Sequence, residues 1–368
     1  MDFLSGFVFY NVFFFIVLLC FYKGRRKKKI ALIGFYLLIC LAVLRYDIGY
    51  DYDVYFRFVR NISQVSYNEV SLLAFMLNSS EQFYMEPLFI FLSSITSFTV
   101  WNPVLVIGFY SLVTLSMFYV SLKRINGLFW GFTIIIMMGY LFISFDQIRQ
   151  AAAISIFVFS LKYVEMNQWK KYILCIILAS LFHVSILIVS PFVYFMRDKP
   201  NIKFNLVVLT LCFFLFLTGF FNKIIELIFS LVPFYKSYSG TGFAKVGQFG
   251  SGLGLLLKVV FYTLLMVKAR NCAPLYSNLI FWGMILLIMA SGNLNILRMA
   301  NYFLFSGYIA FPLCMRMRLR KSHLILLVLM FINLEHNLLT NRGNGCVPYE
   351  TVLFTDPTES NFKELEPH

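Results

Sequence analysis

Three arginines lie at the ends of strongly apolar segments, at Arg45, Arg149 and Arg298. A guanidinium keeps its charge at any physiological pH, and placing it against hydrocarbon is costly, so such a residue usually faces a cavity and binds an anion. Its planar fork can hold two phosphate or carboxylate oxygens at once. The three positions therefore predict an anion-binding site within an apolar protein.

Arg149 belongs to the segment SFDQIRQ, which directly precedes an apolar run that begins at Ala151. This position predicts the first turn of a helix, where free backbone N–H groups and the positive end of the helix dipole favour an anion. On a continuous helix, Asp146 would share one face with Arg149 and Gln150. The pattern predicts a phosphate site formed by these three residues. The alternative is a salt bridge between Asp146 and Arg149 that closes the helix start.

Arg298 opens a second apolar helix, within the segment NLNILRMANY. Asn295, Asn301 and Tyr302 lie three or four residues from Arg298, so they share one helical face with it. They would give the guanidinium polar neighbours. Arg298 and Tyr302 are therefore predicted to bind the same anionic ligand as Arg149.

Arg45 begins the segment RYDIGYDYDVY, which holds three carboxylates, a turn-permitting glycine and, at its end, Tyr55. Alternating aromatic and acidic side chains suit a sugar, because rings stack on the apolar faces of pyranoses and carboxylates accept bonds from hydroxyl groups. Arg45 and Tyr55 are predicted ligand contacts, and Asp51 is a candidate proton acceptor. The alternative is an aromatic belt at a membrane interface with solvated acids beside it.

Two further residues could accept a proton, His183 and Glu86. His183 lies near the middle of an apolar run, and a histidine titrates close to neutral pH. The alternative for it is an interhelical hydrogen bond without a chemical role. Glu86 directly precedes Pro87 and a short apolar run. With Asp51, these two residues form the set of candidate catalytic bases.

The chain as a whole has the composition of an integral membrane protein. Of its 368 residues 60% are hydrophobic and 13% are charged, with a mean hydropathy of +0.79. Apolar runs near the roughly 20 residues that a crossing needs fill the sequence. We predict an all-α polytopic membrane protein with about twelve transmembrane helices that forms a single domain over residues 1–368. The predicted crossings include 128–144, 150–165, 172–194 and 299–315.

Two apolar stretches do not fit single crossings, so one or two broken or re-entrant segments are predicted. Residues 88–100 form a run too short to span, which predicts a re-entrant or surface helix. Residues 204–233 are interrupted at Asn222 and Lys223, which predicts a helix followed by a short broken one. Broken helices at membrane depth normally line a cavity.

Basic clusters separate the apolar runs, and the positive-inside rule places them in the cytoplasm. Arg45, Arg149 and Arg298 then all fall on the outer side, together with residues 45–86 and 235–252. The net charge of +14 arises from these scattered clusters; it forms no face with interleaved aromatics, so a nucleic-acid partner is not expected. The clusters are Lys23–Lys29, Lys123–Arg124, Lys170–Lys171, Lys268–Arg270 and Arg316–Lys321.

Taken in order, these motifs resemble those of the Wzy-type polysaccharide polymerases, and in particular the EpsG-like branch. The order of the motifs covers most of the chain. The resemblance rests on Arg45 with Gly49, Asp51 and Tyr55; on Glu86-Pro87; on Ile148 to Ala151; on Phe182-His183-x-Ser185; on Arg298 with Tyr302-Phe303; and on Pro348-Tyr349.

The resemblance implies a glycosyltransferase that moves an oligosaccharide repeat unit from undecaprenyl pyrophosphate to another lipid-linked unit. It implies a multi-pass protein of the bacterial inner membrane with its active site toward the periplasm or exterior. The expected partners are the lipid-linked oligosaccharide and membrane lipid, with a chain-length regulator and a flippase in the same pathway. We expect no cofactor and no metal, because arginines at helix N-termini can neutralise a pyrophosphate themselves.

Two other activities share the same ligand chemistry. A flippase for the lipid-linked oligosaccharide would also need arginines for the pyrophosphate, and an O-antigen ligase would differ only in its acceptor. A flippase usually has an internal repeat and cationic residues at several depths of its cavity. The sequence shows neither feature, so it favours the polymerase over the flippase and leaves the ligase as an alternative.

Overall fold

A computed structural model describes residues 3–64, 85–221, 223, 252–290, 293–316, 321–340 and 346–355. Within these residues the chain is helical and has no strand, which confirms the all-α prediction. Their one isolated antiparallel bridge joins Arg45 to Thr351. Most of the predicted outer region at 235–252, and the end of the predicted broken helix at 204–233, lie outside the described residues.

The chain forms two compact units, and the prediction of a single domain stays a prediction. The first unit comprises Met1–Ile188 and Asn337–Leu365. Its helices are α1 (Phe3–Gly24), α2 (Lys28–Val43), α3 (Tyr52–Gln64), α4 (Pro87–Ile95), α5 (Asn102–Arg124), α6 (Leu128–Met137), α7 (Tyr140–Asp146), α8 (Ile148–Glu165) and α9 (Trp169–Ser180).

The second unit comprises Val189–His336 and Glu366–His368. The boundaries between the units fall within the short α10 and within the last helix, α16. In the second unit, α13 packs against α11, α12, α14 and α15. These later elements are α10 (Ile186–Val189), a 3-10 helix (Ser190–Met196), α11 (Ile202–Leu217), α12 (Leu253–Cys272), α13 (Pro274–Met289), α14 (Leu294–Leu304), α15 (Gly307–Met315) and α16 (Lys321–Thr340).

Three described helices are long and apolar enough to cross a membrane: α1, α5 and the His323–Thr340 part of α16. The pair α6 and α7 gives a fourth candidate, bent by 61° at its break. The prediction of about twelve crossings is therefore not confirmed, because many of the other apolar helices are shorter than the roughly 20 residues that a straight crossing needs.

Several predicted crossings are interrupted. The predicted crossing at 128–144 bends at Gly139, whose φ of 78° starts α7 after α6 has ended. The predicted crossing at 299–315 is divided into α14 and α15 between Leu304 and Gly307. The short run at 88–100 forms α4, a helix of nine residues. Broken helices at membrane depth are typical of segments that line a cavity.

The predicted helix at 172–194 is also broken, and this break matters for the site. α9 ends at Ser180, and regular α-helix resumes at Ile186. The residues between contain no glycine or proline that would signal a break. His183 therefore lies in the interruption, which corrects its predicted place in the middle of a helix.

Helix α5 is the central element of the first unit and packs against α2, α3, α4, α6, α7 and α8. Buried aromatic side chains fill the space between the start of α5 and its neighbours α3 and α4. The ring of Phe89 lies 5.6 Å from that of Tyr55 and 5.5 Å from that of Tyr110, between ring centroids. This aromatic cluster positions α4 against α3 and α5.

The described end of the chain, Cys346 to Thr355, packs against the segment that follows α2. The Tyr46 N–H donates to the Glu350 carbonyl at 3.0 Å, and the Val352 N–H donates to the Leu44 carbonyl at 2.9 Å. The hydroxyl of Tyr10 donates to the Cys346 carbonyl at 2.8 Å. This closing segment therefore joins α1 to the segment that contains Arg45.

Gly49 is required where the segment after α2 approaches the end of α7. Its φ is 105°, and a Cβ there would lie 2.6 Å from the Phe145 carbonyl oxygen. Gly219 has a positive φ of 68° but nothing within 4 Å of its would-be Cβ. Gly219→Ala should therefore cost only the conformational strain, about 1–2 kcal/mol, whereas Gly49→Ala should add a steric clash.

We expect Gly49→Ala to lower the thermal unfolding midpoint of the purified protein well below that of Gly219→Ala. Thermal unfolding of both variants in the same detergent measures the difference. Equal midpoints would contradict the close approach of Gly49 to α7.

Candidate active site

A buried carboxylate, Glu86, bridges an arginine and a histidine from other parts of the first unit. Its Oε2 accepts a hydrogen bond from Nη1 of Arg149, and its Oε1 lies 2.5 Å from Nδ1 of His183. The Glu86 side chain is 3% exposed, whereas those of Arg149 and His183 are 15% and 24% exposed. Three residues that the sequence singled out separately thus form one partly accessible cluster.

The backbone around Glu86 explains why its carboxylate is available. Glu86 precedes Pro87, and its φ of −66° and ψ of 149° are the extended conformation that a following proline favours. Its carbonyl accepts the Phe89 N–H at 2.9 Å, which begins α4. The side chain makes no capping bond to its own helix. Both carboxylate oxygens are therefore directed to residues outside α4.

Arg149 occupies the first turn of α8, as its position before the apolar run predicted. Gln147, which precedes α8, makes no capping hydrogen bond with its side chain. The guanidinium carbon of Arg149 lies 5.5 Å from the ring centroid of Tyr55 and 5.8 Å from that of Phe89, at cation–π distance. The rings, the carboxylate and the helix start hold the guanidinium in one orientation.

The charge of Glu86 determines how His183 is protonated. Burial alone would raise the pKa of Glu86, but the hydrogen bond with His183 and the positive charge of Arg149 outweigh burial and hold that pKa below its ordinary value of 4.5. An ionised carboxylate can only accept hydrogen bonds, so Nδ1 of His183 donates. In a neutral ring, the proton-accepting nitrogen of His183 is then Nε2.

The same geometry distinguishes the candidate bases. Both oxygens of Glu86 are engaged and its pKa is low, which makes it a poor proton acceptor near neutral pH. His183 lies at the more exposed end of the cluster. Asp51 is half-buried before α3, and its carbonyl accepts the Tyr55 N–H at 3.1 Å. The geometry favours His183 as the base and gives Glu86 a positioning role.

Asp146 does not share a helix with Arg149, so the predicted common helical face is wrong. α7 ends at Asp146, and α8 begins at Ile148 after a residue with non-helical backbone angles. Oδ1 of Asp146 accepts the backbone N–H of Tyr50 at 2.8 Å. Gln150 is buried within α8. The structure thus gives Asp146 a contact that holds the segment around Gly49 against the end of α7.

Arg45 lies inside the first unit, contrary to the expectation that it faces a cavity. Its side chain is 1% exposed, and Nη1 donates to Ser111 Oγ at 2.7 Å and to the Ala42 carbonyl. Its guanidinium carbon lies 4.7 Å from the centroid of the Phe145 ring. Nε and Nη2 have no hydrogen-bond partner among the described residues. A ligand contact by Arg45 would require this packing to open.

Arg298 and Tyr302 belong to the second unit. Arg298 is half-buried in the second turn of α14, and Tyr302 is fully buried on the same helix. Oδ1 of Asn293 caps α14 by accepting the N–H groups of Asn295 at 3.1 Å and Ile296 at 3.2 Å. The binding of one ligand by both Arg149 and Arg298 stays a prediction.

Sequence reasoning missed Tyr110 as a neighbour of the cluster. Its ring lies 5.5 Å from Phe89 and 5.4 Å from Phe182, between centroids, and its buried hydroxyl has no hydrogen-bond partner among the described residues. A tyrosine within the apolar helix α5 is the one signal that the sequence contained. Its contacts depend on the packing of α4 and the break at His183 against α5.

The fold and this cluster define an all-helical membrane protein with a buried carboxylate that joins a cation to a histidine. The model of the EpsG family matches residues 28–351, which is most of the chain. The chain therefore belongs to the EpsG family, and the resemblance found in its motifs is confirmed. No curated protein and no solved structure matches the chain. Family membership indicates a membrane-embedded, glycosyltransferase-like function in polysaccharide biosynthesis.

The low pKa of Glu86 predicts a pH dependence of stability. A carboxyl group whose pKa is lower in the folded than in the unfolded chain stabilises the fold above the unfolded value, and this contribution is lost as the pH falls through the folded value. Wild type should therefore be more stable than Glu86→Gln at neutral pH, and the difference should begin to shrink as the pH falls below 4.5, the ordinary pKa of this group, and vanish only below its lower pKa in the folded protein.

Thermal unfolding of both proteins over a range of pH measures this difference. The matched control is Glu165→Gln, because Glu165 forms a more exposed ion pair with Arg124 at 4.0 Å and exposed pairs contribute little. A stability difference for Glu86→Gln that stays constant down to acid pH would contradict an ionised Glu86.

Proposed function

We propose that this protein is a polysaccharide polymerase that transfers an oligosaccharide repeat unit from undecaprenyl pyrophosphate to a second lipid-linked unit. One observation carries the proposal: Arg149 and His183 contact the two carboxylate oxygens of Glu86. Arg149 is a cation that can bind an anion, and His183 is a residue that can accept a proton. Family membership supplies the class of reaction, and this cluster supplies groups that suit it.

Arg149 would bind the pyrophosphate of the donor. Glycosyl transfer breaks the bond between the anomeric carbon and a pyrophosphate oxygen, and negative charge grows on that oxygen as the bond breaks. A guanidinium in the first turn of α8 adds its charge to the positive end of the helix dipole. Such fixed positive groups stabilise the developing charge. The sequence motifs also propose Arg298, Tyr302 and Gln150 as ligand-binding residues.

His183 would take the proton from the acceptor hydroxyl. The acceptor oxygen bonds to the anomeric carbon, its proton moves to Nε2 of His183, and undecaprenyl pyrophosphate leaves with the electron pair of the broken bond. Glu86 holds the other ring nitrogen and stabilises the imidazolium that forms. The broken helix between Ser180 and Ile186 leaves His183 partly exposed, which suits access by an acceptor.

The packing of α5 and α8 supports an outward-facing site. Arg124 and Glu165 lie at the last turns of these helices and form an ion pair at 4.0 Å, so the two helices run in the same direction. Arg149 is at the first turn of α8, away from those basic ends. If the basic ends lie in the cytoplasm, the cluster lies toward the periplasm of a bacterial inner membrane.

Substitutions at the cluster should abolish polymer formation without removing the protein from the membrane. Arg149→Ala should eliminate polymer, and Arg149→Lys should restore little because lysine lacks the planar fork. His183→Gln should slow elongation by roughly two to four orders of magnitude, the usual range for loss of a general base. Pulse-labelled chain elongation in membranes, followed by polymer length on a gel, measures both effects.

Arg124→Ala is the matched control, because this arginine belongs to the more exposed ion pair at the other end of the helices; it should elongate chains normally. Normal polymer from Arg149→Ala would exclude the proposed donor site. Lipid-linked units trapped inside the cell would indicate a flippase, and polymer left unattached to its acceptor would indicate a ligase.

The orientation of the site is tested by accessibility. In a background without the native cysteines, Arg57→Cys on α3 should react with an impermeant thiol reagent in whole cells, because Arg57 is exposed and its helix carries Tyr55, which contacts Arg149. Arg26→Cys, in the basic turn between α1 and α2, should react only after the membrane is opened. The reverse labelling pattern would place the cluster in the cytoplasm.

A further inference from the structure

Glu86 already offers Arg149 the kind of anion that the proposed donor would bring. A carboxylate oxygen and a phosphate oxygen accept the same charge-assisted hydrogen bond from a guanidinium. Arg149 is mostly buried, and a buried cation needs a counter-charge to be stable. Binding of a pyrophosphate at Arg149 must therefore compete with Glu86 for the guanidinium.

We propose that Glu86 is an internal counter-anion of Arg149, and that the donor pyrophosphate replaces Glu86 as the hydrogen-bond partner of Arg149. This inference rests on the proposed function for the identity of the ligand as a lipid-linked pyrophosphate. The exchange concerns one oxygen of the carboxylate, Oε2, which accepts from Arg149. The other oxygen, Oε1, stays with Nδ1 of His183. Glu86 therefore keeps the histidine in place while it releases the arginine.

Three features of the site fit such an exchange. Glu86 makes no capping bond to its own helix α4, so its side chain is not tied to the backbone there. The guanidinium of Arg149 lies at cation–π distance from Tyr55 and Phe89 and forms a hydrogen bond with Tyr55, and these contacts do not require Glu86. The buried hydroxyl of Tyr110, next to Phe89 and Phe182 and without a partner among the described residues, is a donor near the exchange.

Glu86→Gln separates this proposal from simpler roles, because it removes the competing charge and keeps the shape. We expect it to bind pyrophosphate about tenfold more tightly than wild type and to elongate chains at least a hundredfold more slowly. The probes are inorganic pyrophosphate and farnesyl pyrophosphate, titrated into the purified full-length protein in detergent. Elongation is measured in membranes with the lipid-linked donor.

Glu86→Asp is the second variant if Glu86→Gln does not fold. Its shorter carboxylate cannot span both Arg149 and His183, so we again expect tighter pyrophosphate binding than in wild type and slower elongation. Glu165→Gln is the control, because it also removes one carboxylate from an ion pair with an arginine. It should change neither pyrophosphate binding nor the elongation rate.

The outcomes are distinct. Weaker pyrophosphate binding together with slower elongation would show that Glu86 merely holds Arg149 in place and would overturn the proposal. Unchanged pyrophosphate binding with slower elongation would show that Glu86 acts only on His183, and would also overturn the proposal. If wild type binds both probes but forms no polymer, the proposed function fails while the binding comparison still decides the role of Glu86. A wild type that binds neither probe would overturn the counter-anion proposal.

Discussion

Burial of the Glu86 carboxylate is the constraint on which the site depends. An ionised carboxylate that is almost fully removed from water is unstable unless hydrogen-bond donors and positive charge compensate for its lost hydration. Arg149 supplies a cation from the first turn of α8, and His183 supplies a ring N–H from the interruption after α9. The residue before α4 therefore determines how α8 and the broken segment must pack.

The helices around α5 satisfy this constraint with apolar and aromatic packing. Rings from α3, α4 and α5 enclose the guanidinium and the carboxylate, so water is largely excluded and their attraction is strong. The break after Ser180 has the opposite effect, because it leaves His183 partly exposed. One side of the cluster is thus enclosed, and the side of His183 is partly exposed.

Arg45 and Arg149 show how one residue type serves two purposes in the same unit. Both follow the same sequence pattern, a cation at the edge of an apolar run. Arg45 is enclosed by Ser111, Phe145 and the closing segment, and its contacts hold α2, α5 and α7 together. Arg149 keeps partial exposure and pairs with the carboxylate of Glu86. Their difference arises from packing that the local pattern does not encode.

The membrane class, the all-helical fold, the position of Arg149 in the first turn of α8 and the motifs of the EpsG family could all be predicted from the sequence. Each depends on composition, apolar run length or residues close together in the chain. Tertiary structure alone decided that Glu86 pairs with residues 63 and 97 positions away. It also decided that the run at 172–194 breaks where no glycine or proline marks it. Such partners and breaks depend on the free energy of packing between distant segments. Local periodicity in the sequence carries no information about that packing.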